Sequence, residues 1–184
     1  MFLYPSRVAS YGVSRVCPLG GKQSRKGVGL DRLRFASWNV GTVTSKSLEL
    51  VQALHRRKIS ITCMQETKWV GAKAPEIDGY KVWYSGGSRV RNGVGILFEE
   101  LIDRVVEVRC KSDCIMSINL VLEAIVLNVV CVYAPQIGLP EDIKRAFWEE
   151  LEEVLQSKPR HEKLLVGGDF NGQIGEKADG YVRS

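Results

Sequence analysis

Residues Leu164 to Gly172 read LLVGGDFNG. Three apolar residues form a short buried strand, and the two glycines after them offer no side chain to pack, so the strand is predicted to end at Val166. Gly167 and Gly168 then let the backbone turn sharply. The turn would present Asp169, Phe170 and Asn171 at the carboxyl end of a rigid strand, where α/β folds gather binding and catalytic groups.

The same design recurs upstream. Leu33 to Asn39 alternates apolar with small or polar residues as a strand does, and it ends on Ser37-Trp38-Asn39. Ser45 can cap a helix in which Leu48, Val51 and Leu54 recur at three-residue spacing, and the cluster Arg56-Arg57-Lys58 suits its C-terminus. The short β-branched run from Ile59 to Met64 is a buried strand that leads into Gln65-Glu66-Thr67. The unit is strand, helix, strand.

Further strands are predicted at Tyr80 to Tyr84, Gly93 to Phe98, Arg104 to Val108, Ile115 to Leu122 and Ala124 to Tyr133. Gly86-Gly87 and Arg91-Asn92-Gly93 mark turns between them. Pro140 starts a second helix with Ile143, Phe147 and Leu151 on one stripe and four glutamates on the other, and Lys158-Pro159 stops it. Trp69, Trp83 and Trp148 are expected to serve as packing anchors.

A chain of 184 residues is one domain with a sizeable core. Its longest apolar stretch, Ala124 to Ala134, is interrupted by Asn128 and too short to cross a bilayer, so no membrane span is expected. The formal charge of +5 is unevenly placed: residues 1 to 34 hold seven of the 26 basic and one of the 21 acidic side chains. Residues 1–32 are therefore expected to form a flexible basic leader, with an organelle transit peptide as the alternative. Residues 33–184 would be the folded part, and their near-neutral balance neither supports nor excludes nucleic acid.

Five cysteines, an odd number, point to a reduced intracellular compartment, nuclear or cytoplasmic. Cys63 and Cys131 sit inside apolar runs as small core residues. Cys110 and Cys114 have no second pair, and His55 and His161 are distant, so structural zinc is not expected.

The polar strand ends offer two carboxylates and two amides, and hard oxygen ligands suit Mg²⁺, with Mn²⁺ as a substitute. Mg²⁺ takes one or two protein carboxylates and fills its remaining positions with water and substrate phosphate. On this reading Glu66, supported by Asn39, holds the cation, Asp169 orients or deprotonates water, and Asn171 donates its amide to phosphate. Each of Asn39, Glu66 and Asp169 also fits an ordinary turn or first exposed residue after a strand.

Five segments in this order resemble the endonuclease/exonuclease/phosphatase superfamily: Trp38-Asn39-Val40, Gln65-Glu66-Thr67-Lys68, Gly93-Val94-Gly95-Ile96, Val132-Tyr133-Ala134-Pro135 and Gly168-Asp169-Phe170-Asn171. The fuller wording is similar to the apurinic-type endonuclease domain of non-LTR retrotransposons and to the craniofacial development protein family. The resemblance implies a DNase I-like four-layer α/β sandwich, truncated after roughly its first 150 residues, and Mg²⁺-dependent cleavage of phosphodiester bonds in nucleic acid, with DNA the expected partner. It assigns the metal to Glu66 and Asn39, the nucleophilic water to Asp169, and the scissile phosphate to Asn171 and Tyr133. Lys68 would approach the nucleic-acid backbone or remain a solvated surface lysine.

Two departures accompany the resemblance. Gly41 stands where several members carry an acidic ligand, and the family's later Ser-Asp-His segment is absent up to Ser184. Loss of that half is expected to expose apolar sheet surface and to impair catalysis. The alternatives are a non-catalytic module that binds nucleic acid or protein, and a phosphatase or deadenylase of the same superfamily.

Overall fold

A computed structural model describes residues 33–41, 47–73, 76–77, 79–86, 92–99, 101–123 and 125–171. The basic leader, the helix cap expected at Ser45, and Gly87, Arg91 and Gly172 lie outside the described residues. The chain runs β1 (Phe35–Asn39), α1 (Ser47–Arg57), β2 (Ile61–Gln65), β3 (Gly71–Lys73), β4 (Glu76–Ile77), β5 (Tyr80–Gly86) and β6 (Val94–Glu99). It continues through β7 (Val105–Cys110), β8 (Ile115–Leu122), β9 (Ile125–Tyr133), α2 (Glu141–Gln156) and β10 (Lys163–Asp169).

Two mixed sheets result. One has the order β1-β2-β6-β5-β3 with β4 also paired to β5, and the other has the order β10-β9-β8-β7. In each sheet one pair is parallel, β1 with β2 and β9 with β10, and the other pairings are antiparallel. A parallel pair needs a crossover, and α1 and α2 supply the two crossovers.

Strand alternation sorts the apolar residues into three clusters. Ile61, Cys63, Ile96, Phe98, Met116, Ile118, Val129 and Cys131 meet between the sheets. On the far side of the first sheet, Leu50, Val51 and Leu54 of α1 cover Met64, Val82 and Leu97. Phe147 and Leu151 of α2 cover Ile115, Val130, Val132 and Leu164 on the far side of the second. The layers are therefore helix, sheet, sheet, helix, the four-layer arrangement expected. β9 is apolar almost throughout because both its faces are buried.

Several expectations change. The two sheets cover each other, so the inner apolar faces are closed: Val94, Ile96, Ile118 and Val129 are fully buried. Edge strands among the described residues are β1 and β3 in the first sheet and β10 and β7 in the second. Ile143 does not share the buried stripe of α2; it is 46% exposed, while Phe147 and Leu151 are buried. Phe147→Ala is accordingly expected to cost about 3–5 kcal/mol in urea unfolding, and Ile143→Ala to move stability by less than about 0.5 kcal/mol. Equal losses would place both residues on the same face.

Trp83 packs edge-on against Phe98, and Trp69 lies against Tyr84, as anchors do. Trp148 is half exposed and stacks on Phe170, with ring centroids 6.4 Å apart. Asn128 and Lys158 are polar side chains buried at the second sheet. Asn128 donates to Glu162 Oε2 at 2.7 Å, which ties the α2–β10 turn to β9. Lys158, just past α2, reaches Asn119 Oδ1 at 3.1 Å and Ser117 Oγ at 3.5 Å. Burial pushes its ammonium pKa down, and Arg109 nearby adds to that shift.

β10 corrects the reading of the glycine pair. The strand does not stop at Val166; Gly167, Gly168 and Asp169 pair in parallel with Cys131, Val132 and Tyr133. A Cβ on Gly168 would stand 2.1 Å from the Val132 carbonyl oxygen, and one on Gly167 would meet Cys63 Sγ at 3.0 Å. These glycines allow close approach rather than a turn.

Candidate active site

The parallel registers decide which groups meet. β1 and β2 end together with Asn39 opposite Gln65, and β9 and β10 end together with Tyr133 opposite Asp169. The two sheets face each other, so four strand ends gather at one end of the sandwich. A backbone bond from Ala134 N to Asp169 O, 2.8 Å, extends the β9–β10 pairing into the site.

Asn39 is the bridge. Its Nδ2 donates to Glu66 Oε1 at 2.8 Å and to Asp169 Oδ2 at 3.2 Å, so one amide joins carboxylates 103 positions apart in the chain, on different sheets. Its Oδ1 accepts from Gly41 N at 3.1 Å. The turn contact and the site contacts occur together. With its oxygen on Gly41, Asn39 holds the two acids in place, and Glu66 and Asp169 present the oxygen donors.

Tyr133 hydroxyl donates to the same Glu66 Oε1 at 3.1 Å, and Gln136 Nε2 approaches that hydroxyl at 3.5 Å. Burial raises the Tyr133 pKa and the Glu66 carboxylate adds to the rise, against opposing hydrogen bonds from Gln136 and Asn171. The phenol therefore stays protonated, a donor aimed at the acid. Lys68 Nζ stands 3.6 Å from Glu66 Oε2. Lys68 thus lies beside the acid while remaining partly exposed.

Asp169 Oδ1 accepts from Asn171 N at 3.0 Å, while Asn171 Nδ2 donates to Ala134 O at 2.7 Å. The second contact fixes the Asn171 side chain with part of its donor capacity already used. Glu66, Lys68 and Asn171 all have left-handed backbone, with φ of 55°, 54° and 43°. Such conformations cost of order 1–3 kcal/mol each and cluster at functional sites.

The six residues predicted from sequence, Asn39, Glu66, Lys68, Tyr133, Asp169 and Asn171, therefore occupy one site. Gln136 and Gln65 join them; Gln65 belongs to a polar strand end predicted from sequence, but no role is predicted there for either residue. Gln65 accepts from Ser37 Oγ at 3.3 Å and donates to Cys131 Sγ at 3.5 Å, bridging the sheets behind the site. Gln136 follows Pro135 three residues past the end of β9, and that closeness to a strand end was the available signal.

Among the described residues no three or more His, Cys, Asp or Glu side chains converge as a metal cluster. The donor set still fits a hard cation that takes few protein ligands. Two carboxylates with open positions for water and phosphate are what Mg²⁺ accepts, whereas zinc prefers nitrogen and sulfur.

Facing mixed sheets flanked by helices, with acids and amides at the strand ends, define the DNase I-like α/β class. Residues 36–173 match the endonuclease/exonuclease/phosphatase family, and the chain belongs to it. A craniofacial development protein 2 from Bos taurus is 27% identical over 146 residues, which cover 78% of this chain and 25% of that protein. The chain thus spans about a quarter of its curated relative's length. The structure of an AP endonuclease from Archaeoglobus fulgidus superimposes with a TM-score of 0.61 at 26% identity, covering 76% of this chain and 57% of that one. The endonuclease domain of a telomere-specific non-LTR retrotransposon superimposes with a TM-score of 0.56 at 16% identity, covering 77% and 62%, a likeness of fold.

Proposed function

We propose that this site hydrolyses phosphodiester bonds of nucleic acid, DNA in the first instance, with Mg²⁺ or Mn²⁺ as cofactor. The observation that carries the reading is the bridge from Asn39 to Glu66 and Asp169, which joins two carboxylates from different sheets in one cluster. Membership of the family and the fold shared with an AP endonuclease support the same reading.

Glu66, supported by Asn39, would hold the cation, which when bound would supply positive charge to the phosphate and lower the pKa of bound water. Asp169 would accept a proton from water as the water oxygen bonds to phosphorus and the opposite P–O ester bond breaks, the leaving alkoxide taking up a proton from solvent. Asn39 keeps Asp169 and Glu66 at a fixed separation. Tyr133, protonated, and Lys68 donate toward the phosphate, and the Asn171 amide orients it. Preorganised donors of this kind need no rearrangement as charge develops.

The test is conversion of supercoiled plasmid to nicked circles with Mg²⁺ and with EDTA, alongside release of inorganic phosphate from 3′-phosphorylated oligonucleotides. Nicking that EDTA abolishes is expected, with Asp169→Asn slower by about 10²–10⁴-fold as befits loss of a general base. Phosphate release without nicking would move the assignment to a phosphatase. Neither activity from a folded sample would sink hydrolysis and leave a binding module.

A further inference from the structure

The turn at Asn92-Gly93, opening the Gly93-Val94-Gly95-Ile96 motif, lies beside Glu66. β2 and β6 pair antiparallel with Gln65 opposite Val94. Regular continuation would set Glu66 opposite Gly93. Instead Thr67 N bonds to Gly93 O at 3.2 Å and Lys68 N to Asn92 O at 3.1 Å, so Glu66 and Thr67 together oppose Gly93. Two residues against one, with Glu66 at φ 55°, make a β-bulge.

The bulge decides where the carboxylate points. Along β2, Ile61 and Cys63 face the other sheet, Met64 faces α1, and Gln65 reaches Cys131 between the sheets. Strict alternation would send Glu66 to the α1 side with Met64. The left-handed residue breaks that alternation, and the carboxylate meets Asn39 and Tyr133 at the end of the sandwich.

We propose that Asn92 and Gly93 are positioning residues that hold this bulge, and through it the Glu66 carboxylate, in its cation-binding orientation. The proposal rests on the reading that Glu66 helps to hold a divalent cation. Gly93 is required on two counts: its φ is 122°, and a Cβ there would stand 2.4 Å from Thr67 Oγ1 and 3.3 Å from Lys68 N. Asn92 Nδ2 donates to Asp113 Oδ2 at 3.1 Å, in the turn between β7 and β8. The clamp is thereby anchored to the opposite sheet.

Mn²⁺ alone, titrated into the full chain and followed by its electron paramagnetic resonance signal, provides the test. Glu66→Gln sets the reference for a lost site. Asn92→Asp removes the donor to Asp113 and sets two carboxylates together; it is expected to weaken Mn²⁺ binding about tenfold, as loss of an outer-shell partner does, with the circular dichroism unchanged. The exchanged pair Asn92→Asp with Asp113→Asn restores the hydrogen bond and should restore affinity. Gly93→Ala should weaken binding too, and the exchange should not rescue it.

A purely structural turn would lower the melting temperature and leave Mn²⁺ affinity alone. If Gly93→Ala does not fold, Asn92→Asp and its exchange decide. Wild-type affinity in folded Asn92→Asp, with binding lost in Glu66→Gln, would overturn the positioning role alone. Unchanged binding in Glu66→Gln would remove the cation reading and the proposal with it.

Discussion

Gly168→Ala is expected to cost about 3 kcal/mol or more and to abolish a cooperative urea transition if the domain is only marginally stable. A Cβ at this position would lie 2.1 Å from the carbonyl oxygen of Val132 and 2.4 Å from its Cγ2. Neither neighbour can retreat: Val132 is fully buried in β9, pairs directly with Gly168, and lies in the cluster under α2. Relief would require β10 to leave β9, which would carry Asp169 out of the site. Gly138→Ala, with nothing within 4 Å of the added methyl, is the control and should shift stability by less than about 0.5 kcal/mol. An unchanged midpoint for Gly168→Ala would show that the two strands do not pair through the glycines.

Glu66→Gln is expected to lower Mg²⁺-dependent nicking by about 10³-fold or more while leaving the melting temperature near that of the parent. The amide keeps the shape of the side chain and an oxygen to accept from Tyr133, whose hydroxyl stands 3.1 Å from Oε1. What is lost is the negative charge, and with it both the cation and the ion pair to Lys68. Glu66 is half-buried at the edge of the core, and the amide keeps an acceptor for Asn39 and Tyr133, so the folding cost is expected to be small. Nicking within tenfold of the parent would mean that another residue holds the cation. A large fall in stability would mean that Glu66 is chiefly a structural anchor of Asn39 and Tyr133.

Much of this was legible in the sequence because local patterns and long-range roles agree. The apolar run of β9 was readable as a strand, and both its faces are buried. Phe147 and Leu151 were readable as a helix stripe; Ile143 was not separable from them, because the three share helical spacing and only the position of the sheet beneath decides which are covered. The glycine pair at 167 and 168 misled for a related reason. Glycine serves both turns and close strand approach, and the crowding by Val132 and Cys63 that selects the second use is tertiary.

The site was legible as a set of residues and not as an arrangement. Asn39, Glu66 and Asp169 stand at strand ends in the sequence, but the register that brings Asn39 onto both acids belongs to the packing of the sheets. The bulge at Glu66 was hidden entirely. It arises from how Thr67 and Lys68 meet Asn92 and Gly93 across the sheet, and residue order alone does not announce such a slip. β3 and β4, short and polar, gave no periodic signal.

Asn39 and Glu66 ride on one sheet, Tyr133 and Asp169 on the other, and among the described residues no strand ladder joins the two. Between them stand mainly apolar side chains, which attract without fixing direction, crossed by a few hydrogen bonds such as Gln65 to Cys131 and Asn92 to Asp113. Whatever turnover the site supports is therefore a gauge of how the sheets are aligned. On heating, a slide of one sheet over the other would pull Asn39 from Asp169 while every ladder stayed intact, and inactivation would run ahead of any loss of secondary structure.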